Sequence, residues 1–349
     1  MPKEVTLTPF RVNPKAVHEF IIMPQFGDTI SSETGDVLVP SNEEGDWQIV
    51  DNVAWRVPII ELLGNQNILK RRDATCKLIY SPVGKLGARY IFTEPLYAAS
   101  EDCVDEFYQG CFRDYEQGNF DMFFEQVMPL MEKGVGADIY SNKYFGDVTR
   151  EADVTDTWSW NKFDGIFTQL NKYIADGTVP AAQTFAIAPA DATGGTVTPQ
   201  EAHDYLEQAY MSQGFLMKTL DKMNKAFYVD YNIYDAYWDW LVLAGISTIA
   251  ERQSGPGSIN FRGIEVRPKY WDAILAALNG GVEGHIVCLT IKGNWLYATD
   301  SSYGGGPRRN EGIRIWYSMD QNIWMRQIHL KAGTEWANPQ YVVLGITDM

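Results

Sequence analysis

The chain has 349 residues, enough for two or three hydrophobic cores. Apolar residues make up 45% and aromatics 13%, a globular composition and not a disordered one. Acidic residues number 45 against 29 basic ones, and the net charge of −16 argues against a free-standing duplex-DNA binder or an anionic-membrane binder, both of which need a basic face.

No stretch reaches the ~18–20 apolar residues of a membrane span. The opening MPKEVTLTPFRVNPKAVHEF lacks the charged-then-apolar layout of a secretory signal, so none is expected. Cys76, Cys103, Cys111 and Cys288 are expected to be reduced thiols of an intracellular protein. Cys103 and Cys111 fall on one predicted helix, about 12 Å apart at 1.5 Å per residue and beyond the roughly 7 Å reach of a disulfide. No CxxC or paired-histidine spacing points to zinc.

Residues 1–95 are rich in Pro, Gly, Asn and charge, with short apolar runs and no long helical period. Segment 75–93 reads as a hairpin around a Ser81-Pro82-Val83-Gly84 turn, with a second glycine at Gly87. A lone two-stranded ribbon is marginal in water, so it is expected to lean on another domain or another subunit. A long helix is predicted next, capped by Ser100 with Glu101 and Asp102 in its first turn. Val104, Phe107, Tyr108, Cys111, Phe112 and Tyr115 recur at helical spacing, and the pattern runs on to Pro129 and Gly134. Residues 135–160 read as a linker and 160–174 as a helix.

After a Pro/Gly/Thr-rich loop at 177–197, Thr198, Pro199 and Glu201 spell a helix start with a capping box. Residues 226–230 read as a strand, Asn232 as the cap of a largely buried helix, and 260–267 as one strand before a helix opened by Pro268. Two strands follow at 285–291 and 294–300. Residues 313–319 and 323–330 form a hairpin about Asp320-Gln321-Asn322, and 341–346 is a final strand positioned to rejoin an earlier sheet.

The Gly-rich stretch 301–312 lacks the Gly-Lys-Ser/Thr ending of a phosphate cradle and reads as a mobile loop, on which Arg308 and Arg309 are partner contacts. His18, His203, His285 and His329 stand apart from one another and from any nucleophile pattern, so structural roles are expected. Acidic-aromatic segments at 153–165 and 230–241 raise a carbohydrate site. Helical spacing explains them more simply: Tyr234, Tyr237, Trp238 and Leu241 as core, Asp235 and Asp239 as solvated acid. No catalytic residue, metal ligand or cofactor is expected.

Three stretches carry a resemblance. They are MEKGVGADIYSNKYFGD (131–147) with FDGIFTQL (163–170); FLMKTLDKMNKAFYVDYNIYDAYWDWL (215–241) with FRGIEVRPKYW (261–271); and LTIKGNWLYATD (289–300) with the segment from Ile313 to Thr347. In order and wording the chain resembles the major capsid protein of tailed bacteriophages, the Hong Kong 97-like fold also found in encapsulins and herpesvirus capsid floors.

The resemblance implies an α+β subunit with an N-terminal arm (1–45) and an extended β-hairpin loop (46–95). It also implies a peripheral domain with a long spine helix (96–150 and 301–336) and an axial domain (151–300 and 337–349). The implied function is an icosahedral shell around a phage double-stranded DNA genome, assembled in the host cytoplasm. Implied partners are copies of itself in pentamers and hexamers, a portal, scaffolding or decoration proteins, and packaged DNA bound without sequence preference. Tyr80, Pro82, Lys85, Gly87 and Arg89 on the ribbon, with Arg308 and Arg309 on the late loop, are the candidate subunit-interface residues. An encapsulin-type shell and a carbohydrate-active or carbohydrate-binding protein are the alternatives.

Overall fold

The computed structural model describes residues 46–50, 53, 55–64, 84–103, 134–150, 160–187, 197–245, 259–278, 284–300, 313–318 and 323–347. The core layer is a mixed six-stranded sheet. It comprises β5 (Thr184–Ile187), β6 (Lys225–Asp230), β7 (Ile259–Phe261), β8 (Ile264–Lys269), β9 (Ile286–Ile291) and β13 (Val342–Thr347), in the order β5-β13-β9-β6-β8-β7. The final strand lies inside this sheet, parallel to β5 and antiparallel to β9.

Side chains of a strand alternate between faces, and here each face has its own core. Phe227, Val229, Val287, Leu289 and Val343 meet α3 (Pro199–Met211) and α5 (Tyr231–Leu243). Their neighbours Ala226, Tyr228, Ile286, Cys288, Val342 and Leu344 face a second core. That core contains α1 (134–145), α2 (Ile166–Ala175) and α6 (Asp272–Leu278). It is dense in aromatic rings. Tyr144 lies edge-on to Trp271 at 5.2 Å and to Trp295 at 5.7 Å between centroids, the geometry that ring quadrupoles favour.

The same core is roofed by a five-stranded sheet. It is built from β1 (Trp47–Val50), β4 (Glu94–Cys103), β10 (Trp295–Thr299), β11 (Ile313–Ser318) and β12 (Ile323–Trp336). β12 spans both regions. Its first part pairs with β11 and β4, and its last five residues pair with β10. A separate two-stranded ribbon joins β2 (Arg56–Gly64) to β3 (Gly84–Phe92).

Several expectations hold. Thr198 and Glu201 form the reciprocal capping box, with Pro199 in the first turn. The hairpin of residues 313–330 pairs Ile313 with Ile328. Tyr234, Tyr237 and Leu241 are buried and Asp235 and Asp239 exposed, so the acidic-aromatic helix is core on one side and solvated on the other.

Others are corrected. Ser100, Glu101 and Asp102 do not begin a helix; they sit in β4 opposite Arg326, Met325 and Trp324. Cys103 ends that strand, so it does not share a helix with Cys111. Pairing along ten residues of β12 outweighs the capping signal at Ser100. Residues 134–145, read as the end of a helix and a linker, are helical, because Ile139, Tyr140 and Tyr144 place one apolar face in the aromatic core. The cap of α5 is Asp230 and not Asn232: its carboxylate accepts from the Ile233 backbone N–H at 3.3 Å.

Residues 260–267 form a hairpin and not one strand. Arg262 (φ 50°) and Gly263 (φ 83°) make a two-residue turn with the handedness that matches strand twist. Pro268 lies inside β8. β7 pairs only as far along β8 as Val266, so no ladder donor is lost on that side. The strand paired with residues 84–92 is 56–64, earlier than the 75–80 segment expected. The turn at Ser81–Val83, the helical pattern at 104–133 and the loop at 301–312 lie outside the described residues.

Candidate subunit-interface surfaces

The ribbon is tied to the body at its base. The Thr93 backbone N–H donates to the Trp55 carbonyl at 2.9 Å, and the Thr93 hydroxyl donates to the Val53 carbonyl at 3.1 Å. Ile91 turns inward with Val53, Leu296 and Ala298 into a small third core. The corner is tight: a Cβ on Gly333 of β12 would stand 1.8 Å from the Phe92 carbonyl oxygen, so glycine is required for the two strands to approach.

Arg89 is the main side-chain tie. Its guanidinium donates to the carbonyls of Trp336 (2.9 Å) and Ala337 (2.6 Å) and to the Tyr173 hydroxyl (3.2 Å), and lies 3.7 Å from Glu335. Tyr173 in turn donates to Glu335 at 2.8 Å. Burial, with the Glu335 charge, pushes the Tyr173 phenol up to about 12, and burial holds the Glu335 carboxyl above the usual carboxylate range. Arg89, a candidate subunit-interface residue in the sequence reading, thus ties the ribbon to the body of its own chain. Lys85 and Gly87 lie on β3, with Gly87 opposite Glu61. Tyr80, Pro82, Arg308 and Arg309 lie outside the described residues.

The outer side of the base is aromatic and exposed. Trp55 is 68% accessible, and Tyr90 and Phe92 lie beside it. The Arg56 guanidinium stands 5.0 Å over the Tyr90 ring. On β4, Tyr97 is 75% exposed next to His329. A second exposed apolar group is the corner that follows α3: Met211, then Phe215 and Leu216 of α4 (Phe215–Lys218), then Met223. Within the run Phe215-Leu216-Met217 only Met217 is buried. Sequence reasoning missed both groups; three consecutive large apolar residues in a four-residue helix were the available signal.

Two polar clusters are internal. Asp46, fully buried, accepts from the Tyr228 hydroxyl at 2.8 Å and pairs with Lys269 at 2.8 Å and with Arg267. The Asp230 carboxylate accepts from the Ile286 N–H at 2.9 Å, caps α5, and lies 2.9 Å from His285 Nδ1. His285 is thus structural, and His203 stacks on Trp240 at 4.0 Å. Among the described residues no group of three His, Cys, Asp or Glu side chains is placed to hold a metal ion, and no helix is long and apolar enough to cross a membrane.

No family model and no curated protein matches this chain. Solved structures do. A chain of the satellite phage P4 procapsid including the size determination (Sid) protein is 9% identical with a TM-score of 0.56, covering 98% of this chain and 93% of that one. A chain from Mycobacterium phage Bobi is 8% identical with a TM-score of 0.50, covering 97% of this chain and all of that one. At such identities the likeness is one of backbone architecture, and it runs the length of both chains. The chain has the mixed α+β, Hong Kong 97-like fold of tailed-phage capsid structures.

Proposed function

We propose that this protein is the major capsid subunit of a tailed bacteriophage, a structural and non-enzymatic building block that closes with its copies into a shell around double-stranded DNA. The observation that carries this reading is the end-to-end match of its fold to a chain of a phage procapsid. The two exposed apolar groups support it, since large apolar patches on a soluble surface mark contact with another protein. Heterologous contacts of this kind close into rings.

In this reading residues 1–45 form an arm and the β2–β3 ribbon is the core of the extended loop at 46–95. The strands β4, β11 and β12 belong to the peripheral domain (96–150 and 301–336), and the six-stranded sheet with α3, α5 and the strand β10 to the axial domain (151–300 and 337–349). Tyr80, Pro82, Lys85, Gly87, Arg89, Arg308 and Arg309 serve contacts between subunits. Pentamers and hexamers make up the shell, which sits in the virion and recruits a portal and scaffolding or decoration proteins. The acidic surface keeps packaged DNA from adhering.

Negative-stain microscopy of the purified chain tests this: closed shells, tubes or rings are expected, and a persistent monomer at high concentration overturns it. Gly87→Pro fixes φ and removes a backbone N–H within β3. A folded subunit with defective assembly is expected; normal particles would remove the ribbon from the assembly role.

A further inference from the structure

We propose that the Asp230 and Asp272 carboxyl groups form a proton-operated clasp. With one proton between them the start of α6 is held to the first turn of α5; without it that start swings off and parts Tyr270 from Tyr231 at the surface.

The first N–H groups of a helix have no partner within it. In α5 two carboxyl groups from separate chain segments take them. Asp230, the last residue of β6, accepts from the Ile233 N–H at 3.3 Å. Asp272, the first residue of α6, accepts from the Tyr231 N–H at 3.1 Å and the Asn232 N–H at 3.5 Å. Three consecutive amides thus draw the two side chains together, and they hydrogen-bond each other. A helix N-terminus offers roughly half a positive charge, which suits one carboxylate and not two. Carboxyl groups this close share a proton, because ionising both sets like charge against like.

The surroundings decide which group carries it. Asp230 is fully buried, also accepts from the Ile286 N–H at 2.9 Å and lies 2.9 Å from His285 Nδ1. It stands beside Lys269 in the β6–β8 pairing, and Lys269 pairs with Asp46. Asp272 is half-buried, and burial with the Asp230 charge raises it to about 7, so it holds the proton. The other groups around the clasp are Tyr231, Tyr234 and Asp235 on α5, and Tyr270 ahead of α6. Thr347 closes the β13 side, its hydroxyl accepting from the His285 N–H at 2.9 Å. Glu283 and Asp348, near in sequence, lie outside the described residues.

The same contacts say what moves. Asp230 is bound on several sides and stays. Trp271 is fully buried; its N–H donates to the Lys269 carbonyl at 2.9 Å and its carbonyl accepts from the Leu275 N–H at 2.7 Å, so it is the pivot. Tyr270 and Asp272 flank that pivot and reach solvent. The Tyr270 ring stacks on Tyr231 at 5.4 Å with the planes 13° apart, and both rings are more than a third exposed. Loss of the proton drives Asp272 outward about Trp271, releases the Tyr231 and Asn232 amides, and separates the two rings.

The test is hydrogen–deuterium exchange of the full chain at about pH 5.5 and about pH 8.5, with labelling times scaled for the intrinsic rate. Protection of the amides at 231–233 is expected to fall about tenfold at the higher pH, while that of α3 changes less than about twofold. Asp272→Asn, uncharged at both pH values and still an acceptor, is expected to abolish the difference at 231–233. Asp235→Asn, which removes a neighbouring carboxylate outside the clasp, is expected to keep it. Protection at 231–233 in the parent that is the same at both pH values overturns the clasp whether or not the variants fold. So does a parent-like response in Asp272→Asn, or its loss in Asp235→Asn.

Discussion

Asp46 and Lys269 form an ion pair of 2.8 Å in which neither side chain touches solvent. The pair joins the residue before β1 to the end of β8, and thus the entry of the described chain to the six-stranded sheet. Two charges taken out of water are tolerable only together, and Tyr228 and Arg267 complete the shell around the carboxylate.

Asp46→Ala is therefore expected to destabilise the subunit by roughly 3–5 kcal/mol, because it leaves buried cations uncompensated. Urea denaturation monitored by tryptophan fluorescence measures this. Adding Lys269→Met should recover part of the loss; a double variant weaker than Asp46→Ala alone would mean that the cation has another essential role.

Arg89→Ala is expected to free the ribbon base while the two main cores stay folded. Each charged hydrogen bond lost is worth about 1.5–3 kcal/mol. Limited proteolysis should show cleavage of the ribbon ahead of the body. Arg89→Lys should not restore protection, since a single ammonium does not reproduce the fork that reaches Trp336 and Ala337 together.

Stability should depend on pH through Asp272. Burial and the adjacent Asp230 carboxylate raise it to about 7, against about 3.9 for an unfolded aspartate. Between those values the folded state holds a proton that the unfolded state has released. Stability from this group is thus full below about pH 4 and declines as pH rises to about 7. Asp272→Asn mimics the protonated form and should flatten that decline in thermal melts across pH 4–7. An unchanged slope would place the proton elsewhere.

Thr198→Ala removes the α3 capping box and should cost about 1 kcal/mol. Thr198→Ser, which keeps the hydroxyl, should cost little; equal losses in chemical denaturation would assign the effect to the threonine methyl.

The elements read most directly from sequence are those whose signals are local. Thr198, Pro199 and Glu201 lie within four residues of one another, and the 313–330 hairpin pairs adjacent runs. What escaped reading depends on distant chain. Ser100 carries a good capping side chain, yet its backbone pairs with Arg326, 226 residues away, and strand wins. Arg89 looked like a surface cation on a ribbon because Tyr173, Glu335 and the Trp336 carbonyl that engage it are set by tertiary packing. The fold resemblance was legible because it rests on element order. The exposed corner at 211–223 was not, because exposure of Phe215 and burial of Met217 two residues on is a property of the packed layer.

β12 runs unbroken for 14 residues, roughly 46 Å at 3.3 Å per residue. One end is clasped by β10 among the core tryptophans, and the other carries β11 and β4 away from them. Such a strand works as a beam with a fixed root. A small change in tilt where Trp336 is seated therefore becomes a larger sweep at Ile323, in proportion to the length of strand between them.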